Sequence, residues 1–109
     1  MTENCSKVLN ILKKKMLRDV AFDIRSRRVG YMNARDIFFQ GDFEKKNTVT
    51  GCLVVLEIKG IVERKEMEGL DGQILRYWRV IPTYYYPTEE ELLNYLSECG
   101  YEIDLNEGE

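Results

Sequence analysis

The chain has 109 residues, of which 44% are hydrophobic, so it is long enough for one domain with its own core and too short for two. Its longest uninterrupted apolar run, residues 52–56, is far shorter than the ~18 residues of a membrane-spanning helix, and its first residues do not begin a secretory signal. There is no histidine, and the three cysteines, Cys5, Cys52 and Cys99, lie far apart. We therefore expect a cytoplasmic protein that is not an enzyme, contains no metal or cofactor and does not contact membranes.

Charge is distributed unevenly along the chain. The formal net charge is -3, but residues 1–48 carry +5, residues 49–86 are neutral and residues 87–109 carry -8. The acidic overall charge therefore does not exclude nucleic acid as a partner of the more basic part. The acidic end is interpreted either as a solubilising tail or as a segment that competes with DNA for the basic surface.

Two helices are predicted in the first 41 residues. Apolar residues spaced by three and four predict an amphipathic helix from Ser6, its N-cap, to about Ile24. A basic run, residues 25–28, follows it and is typical of a helix C-terminus. Asn33 then predicts the N-cap of a short second helix, which Gly41 ends.

A third helix is predicted over residues 49–59. Asn47 or Thr48 is expected to cap it, and Gly60 to end it. These start and stop signals agree with the apolar pattern between them.

The pattern then changes to a period near two, which predicts a β-hairpin over residues 61–81 with its turn at residues 69–72. After it, Thr88 and Glu91 have the spacing of a capping box and predict a fourth helix that runs to about Cys99.

The third predicted helix is apolar on both of its faces. At about 100° per residue, the predicted core face holds Val49, Cys52, Leu53 and Leu56, and the opposite face holds Gly51, Val54, Val55 and Ile58. An exposed apolar face needs a cover. Three explanations are open: a partner protein or second subunit packs there, the C-terminal helix folds back over it, or it meets thymine methyl groups in a DNA groove.

The order of these elements resembles that of a winged helix-turn-helix domain. Residues 47–64 are similar to the third helix and first wing strand of transcription regulators of the MarR and ArsR kinds. The matching positions are Thr48-Val49, Leu53, Leu56-Glu57, Lys59-Gly60 and Glu63-Arg64, with the return strand Arg76-Tyr77-Trp78-Arg79-Val80. The resemblance covers residues 6–83 and is a match of fold, because many different regulators share the pattern.

This resemblance implies an α+β fold. Residues 1–86 would form a winged helix-turn-helix domain of three helices and a two- or three-stranded wing, residues 87–100 an added C-terminal helix, and residues 101–109 an acidic tail. The implied function is that of a sequence-specific double-stranded DNA-binding protein and transcriptional regulator. The third helix (48–59) would enter the major groove, and the hairpin (61–81) would be the wing.

The resemblance also implies which residues contact DNA. Lysines and arginines would neutralise phosphates, and threonine hydroxyls would reach phosphates or base edges. The residues that these roles select are Lys45, Lys46, Thr48, Thr50, Arg64, Lys65, Arg76 and Arg79.

Two surfaces are candidates for contacts with protein. The apolar side chains of the C-terminal helix, Leu92, Leu93, Tyr95 and Leu96, either join two subunits of a homodimer or cover the core of their own chain. The alternative function is a winged-helix protein-protein interaction module, which would use the outer face of the third helix through Val54, Val55 and Ile58.

Overall fold

The computed structural model describes residues 1–101, which form four helices and one two-stranded antiparallel sheet in an α+β arrangement. The elements are α1 (Glu3–Phe22), α2 (Ala34–Gln40), α3 (Lys46–Ile58), β1 (Val62–Glu68), β2 (Ile74–Val80) and α4 (Glu89–Glu98). No helix in this part of the chain has both the length and the apolar character needed to cross a membrane. Of the predicted acidic tail, only Tyr101 belongs to the described residues.

The first helix begins earlier than predicted. Thr2, not Ser6, is its N-cap, because the Thr2 hydroxyl accepts a hydrogen bond from the Cys5 N–H at 3.2 Å. The Ser6 N–H donates to the Thr2 carbonyl at 3.0 Å and lies inside the first turn. The helix ends at Phe22 rather than Ile24.

The predicted caps of α2 and α4 are confirmed. The Asn33 side chain accepts from the Asp36 N–H at 2.7 Å. Thr88 and Glu91 form a reciprocal capping box, in which each side chain accepts from the other's backbone N–H, at 3.1 and 3.3 Å.

The start of α3 differs from the prediction. Lys45 occupies the N-cap position with extended backbone and makes no side-chain capping bond, so the assignment of Asn47 or Thr48 as the cap was wrong. The Thr48 N–H donates to the Lys45 carbonyl at 3.1 Å, which places both predicted caps in the first turn. The predicted end is confirmed, since Gly60 has a φ of +74°.

The hairpin forms as predicted. Its register pairs Val62 with Val80 at the base and Glu68 with Ile74 at the tip. Gly72 has a φ of +75°, as the predicted turn requires. One further bridge joins Met32 to Trp78 through two hydrogen bonds of 2.8 Å, so the chain entering α2 runs beside β2.

The core lies between α1, α3 and one face of the sheet. Its fully buried members are Val8, Leu12 and Met16 of α1, Ile37 of α2, Val49, Leu53 and Leu56 of α3, and Val62 and Val80 of the hairpin. The face of α3 that was predicted to be the core face is therefore confirmed. Helix α4 packs against α1, where the rings of Tyr95 and Phe22 lie 5.9 Å apart, and it has no fully buried residue.

A buried carboxylate holds the loop between α1 and α2. One oxygen of Asp19 accepts from the Gly30 N–H at 2.8 Å, and the other lies 3.1 Å from the Lys15 ammonium. Gly30 has a φ of +80°, and a Cβ at this position would lie 2.7 Å from the Met16 methyl carbon. These contacts fix the end of the loop against the core, just before the Met32 bridge.

Candidate nucleic-acid interface

The N-terminus of α3 is exposed, basic and uncapped. It has no capping side chain and no acidic residue in its first turn, whereas α1, α2 and α4 each have both. Lys45 and Lys46 are exposed at this end. The first N–H groups of a helix have no partner within the helix and carry its partial positive charge, so this end attracts anions such as phosphate.

The polar residues of the first turns of α3 differ in their surroundings. Thr50 is exposed, whereas Thr48 is half-buried and lines a cavity of about 410 Å³ together with Asp42 and Glu44. The two carboxylates outnumber the one cation that lines this cavity, Lys7, and so disfavour phosphate near Thr48. Asn47 is exposed beside Lys46 and lies in the first turn of α3. The sequence pattern indicated a cap here, because polar residues of the first turn are of the same types as capping residues.

The apolar outer face of α3 is uncovered. The exposed fractions of Val54, Val55 and Ile58 are 43%, 41% and 80%. Since α4 packs against α1, the explanation that the C-terminal helix folds back over this face was wrong. Beside these residues Gly51 lies open, with no atom within 4 Å of where a Cβ would be.

The α4 residues that were predicted to form a subunit seam are all half-buried within their own chain: Leu92, Leu93, Tyr95 and Leu96. Leu92 packs against the core, and Tyr95 meets Phe22 of α1. The pKa of the Tyr95 phenol is raised, mainly because the ring is partly buried. The helix therefore covers part of its own core and leaves the remaining apolar surface open.

On the side of the hairpin that carries Trp78, the two arginines that were predicted to contact DNA form ion pairs with glutamates. The Arg64 guanidinium lies 3.7 Å from Glu57 of α3 and 5.7 Å from the Trp78 ring. Arg76 lies 3.7 Å from Glu66 across the hairpin. Glutamates thus balance both positive charges locally.

On the opposite side, Arg79 is held by contacts within the chain. It forms an ion pair with Glu63, donates to the Val29 carbonyl at 3.3 Å and lies 4.7 Å from the centre of the Tyr31 ring. The Tyr31 hydroxyl also donates to Glu63, at 3.2 Å. Burial raises the pKa of Tyr31, while the positive charge of Arg79 lowers it by less.

Lys65 lies on this same side, with its ammonium 5.8 Å from the Tyr31 ring centre. Arg28 joins it from the loop, with its guanidinium 5.7 Å from the Tyr77 ring centre. Arg28 was not among the predicted DNA contacts, because residues 25–28 have the pattern of the basic end of a helix. The predicted DNA contacts thus lie on three surfaces: the start of α3 and the two faces of the hairpin.

The chemistry available on these surfaces is charge, hydrogen bonding and apolar contact. Among residues 1–101, no three Cys, Asp or Glu side chains come together in a way that could hold a metal ion. A cavity of about 320 Å³ lies between α1, α2 and α4, lined by Lys14, Arg18, Gln40, Tyr95 and Glu98 among others.

Comparisons of the chain with known protein families, curated proteins and solved structures find no match.

Proposed function

We propose that the protein is a winged-helix domain that binds double-stranded DNA and regulates transcription, with α3 in the major groove. The observation that carries the proposal is the uncapped N-terminus of α3, where no side chain caps the backbone N–H groups and where Lys45 and Lys46 are exposed. In helix-turn-helix proteins the N-terminal residues of the recognition helix are those that meet the DNA. The order of three helices and a hairpin is compatible with this arrangement.

The exposed side of α3 suits close approach to a groove. Asn47 and Thr50 supply short polar side chains that reach phosphates or base edges. Gly51 removes bulk at the next position, so the helix backbone can approach the DNA. Val54 then offers an apolar contact of the kind that thymine methyl groups accept.

A single chain makes few phosphate contacts through α3, which limits its affinity. We propose that a homodimer doubles them, with the remaining open surface of α4 as the seam between subunits. Two chains related by a two-fold axis would match two half-sites about 34–36 Å apart.

The test is fluorescence anisotropy of a labelled duplex across a salt series, with the wild type and the Lys45→Gln/Lys46→Gln variant. We expect the variant to bind more weakly and to lower the slope of log affinity against log salt by about 1.8, which corresponds to two lost phosphate contacts. Lys13→Gln/Lys14→Gln removes two adjacent lysines from α1 and is expected to leave the slope unchanged. The proposal is overturned if the wild type binds no duplex even at low salt.

The exposure of Val54, Val55 and Ile58 supports a second candidate function, a protein interaction module. Its simplest partner is a second copy of the chain packed on the outer face of α3. Analytical ultracentrifugation would then show a dimer that Ile58→Lys dissociates. Ile74→Lys, at an exposed position near the hairpin turn, is the control and should leave the dimer intact.

A further inference from the structure

The cavity of about 320 Å³ between α1, α2 and α4 is lined by both apolar and charged side chains. We call it the α1–α4 groove. The half-buried Leu17 and Tyr95 supply apolar surface, and the exposed Lys14 and Arg18 supply positive charge. A ligand that fits this groove therefore carries both aliphatic and negatively charged groups.

The positive charge of the groove is not neutralised. Four ion pairs occur among residues 1–101, and none includes Lys14, Arg18 or Glu98, the one acidic residue that lines the groove. A third cation, Lys15, is already paired with Asp19 at 3.1 Å. Two unpaired cations against one unpaired carboxylate leave the groove with a positive charge that attracts an acidic segment.

The end of α4 brings the chain close to the groove. Gly100 has a φ of +91°, and the Tyr101 N–H donates to the Leu96 carbonyl at 3.0 Å, so the chain turns sharply where the helix ends. The Tyr101 ring then lies 5.6 Å from the ring of Phe22, the last residue of α1. Phe22 in turn contacts Tyr95, which lines the groove.

The distances from this point to the two cations are short. Phe22, Arg18 and Lys14 are four residues apart on α1, so they lie on one stripe, with the cations about 6 and 12 Å from Phe22 along the helix axis. An extended chain advances about 3.4 Å per residue, so residues 102–105 can span about 14 Å. The four residues after Tyr101 are therefore long enough to reach both cations.

The sequence of these four residues matches the lining of the groove. Glu102, Ile103, Asp104 and Leu105 alternate acidic with aliphatic side chains. Carboxylates suit the two unpaired cations, and aliphatic side chains suit the apolar surface between them. Residues 102–109 contain four acidic residues and no basic one, so the attraction to the groove is not offset by a cation of the segment itself.

We propose that residues 102–105 bind in the α1–α4 groove of their own chain, with Glu102 and Asp104 paired to Arg18 and Lys14. The groove is then an internal binding site for an acidic peptide segment. This inference goes beyond the proposed function, because it involves neither DNA nor α3.

The test is backbone order in the full chain, measured by ¹⁵N relaxation of residues 102–105. We expect order parameters above about 0.6, which a loose chain end does not reach. Lys14→Gln/Arg18→Gln should lower them below this value, because the carboxylates lose their partners. Lys45→Gln/Lys46→Gln is the matched control, since it removes the same charge from the start of α3, and it should leave the order parameters unchanged.

A second measurement locates the contact. Deletion of residues 102–109 should shift the NMR signals of the Leu17 methyl groups and of the Gln40 side-chain amide, which line the groove. Glu102→Gln/Asp104→Asn in the full chain should shift the same signals in the same direction. Circular dichroism checks that every variant folds.

Three results would overturn the proposal. Order parameters below about 0.6 in the wild type mean that the segment does not dock. Equal losses in both lysine-containing pairs of substitutions mean unspecific attraction to positive charge. Order that increases with protein concentration means that the groove binds a second copy of the chain instead. Duplex binding is not measured in any of these experiments, so each result leaves the proposed function untouched.

Discussion

At the scale of single residues, Asp19 shows how a charged group can be kept inside this small core. Its exposed fraction is 5%, and its two oxygens are used by the Gly30 N–H and by Lys15. A buried carboxylate is tolerated when both of its oxygens have such partners. Removing the carboxylate destabilises the fold, because it leaves a buried N–H group without an acceptor. Asp19 therefore links α1 to the loop between α1 and α2.

We expect Asp19→Ala to lower the free energy of unfolding by about 2–3 kcal/mol, because it leaves the Gly30 N–H buried without an acceptor. Urea unfolding followed by circular dichroism measures the change. Asp23→Ala, the same substitution at an exposed position just after α1, should change stability by less than about 0.5 kcal/mol. Equal effects of the two would contradict the role assigned to Asp19.

Glu91 and Tyr85 form a second pair with a consequence for pH dependence. The Tyr85 hydroxyl donates to Glu91 at 2.7 Å and, with the Thr88 N–H, lowers the pKa of that carboxyl below its ordinary 4.5. Burial, followed by the bond to Glu91, raises the pKa of Tyr85 to about 12.

Because the pKa of Glu91 is lower in the folded state, its contribution to stability is present above about pH 4.5 and is lost as the pH falls further. Tyr85→Phe should therefore lower Tm at pH 7, and its difference from the wild type should shrink towards pH 3. The control is Tyr84→Phe, since Tyr84 is about half exposed, and its Tm difference should not depend on pH in this range. A Tm difference for Tyr85→Phe that stays constant from pH 7 to pH 3 would contradict the prediction.

At the scale of elements, α3 has one face in the core and one in solvent, although both are apolar. Leu53 is fully buried and Ile58 is 80% exposed. This contrast supports both functional proposals, since the outer face of α3 is free to contact either the major groove of DNA or a partner protein.

Leu53→Ala should lower the free energy of unfolding by about 3 kcal/mol, because it leaves a cavity among α1, α3 and the sheet. Ile58→Ala, on the same helix, should change it by less than about 0.5 kcal/mol in the isolated chain. Denaturant unfolding of both variants at low protein concentration is the measurement. A large loss for Ile58→Ala under these conditions would show that the outer face is covered.

The sequence predicted every element and the facing of α3, because period and turn chemistry are local properties. It placed two helix starts wrongly, because Ser6 is as good a capping residue as Thr2 and lies nearer to the apolar pattern, and because Lys45 is not a capping residue at all. It also missed the contact of Arg28 with the Tyr77 ring, which depends on where Gly30 and Met32 anchor the loop, and that is a tertiary property. The ion pair of Arg76 with Glu66 depends on the hairpin register, and that of Arg64 with Glu57 depends on how α3 packs beside β1, so neither could be predicted from the sequence pattern.

At the scale of the whole molecule, charge separates along the chain. The basic residues lie before position 80, and residues 87–109 contain none. Residues 102–109 lie outside the described part of the chain, but their composition has an electrostatic effect on any polyanion that approaches.

We predict that deletion of residues 101–109 raises duplex affinity at low salt, because it removes four acidic residues and raises the formal net charge from -3 to +1. The gain should diminish at moderate salt, where screening shortens the range of the charge. A full-length variant with Glu102, Glu107 and Glu109 changed to Gln and Asp104 to Asn should reproduce the deletion. Unchanged affinity at low salt would leave the tail a solubilising segment only.

The placement of the three cysteines makes local opening of the structure measurable by thiol modification. Cys5 and Cys52 are buried at the packing of α1 with α3, whereas Cys99 is exposed at the end of α4. Burial, with the neighbouring Cys5 thiol, raises the pKa of Cys52 to about 11, so almost none of it is thiolate at neutral pH. An alkylating reagent should therefore modify Cys99 within the native chain, and the much slower modification of the other two should measure how often α1 and α3 separate.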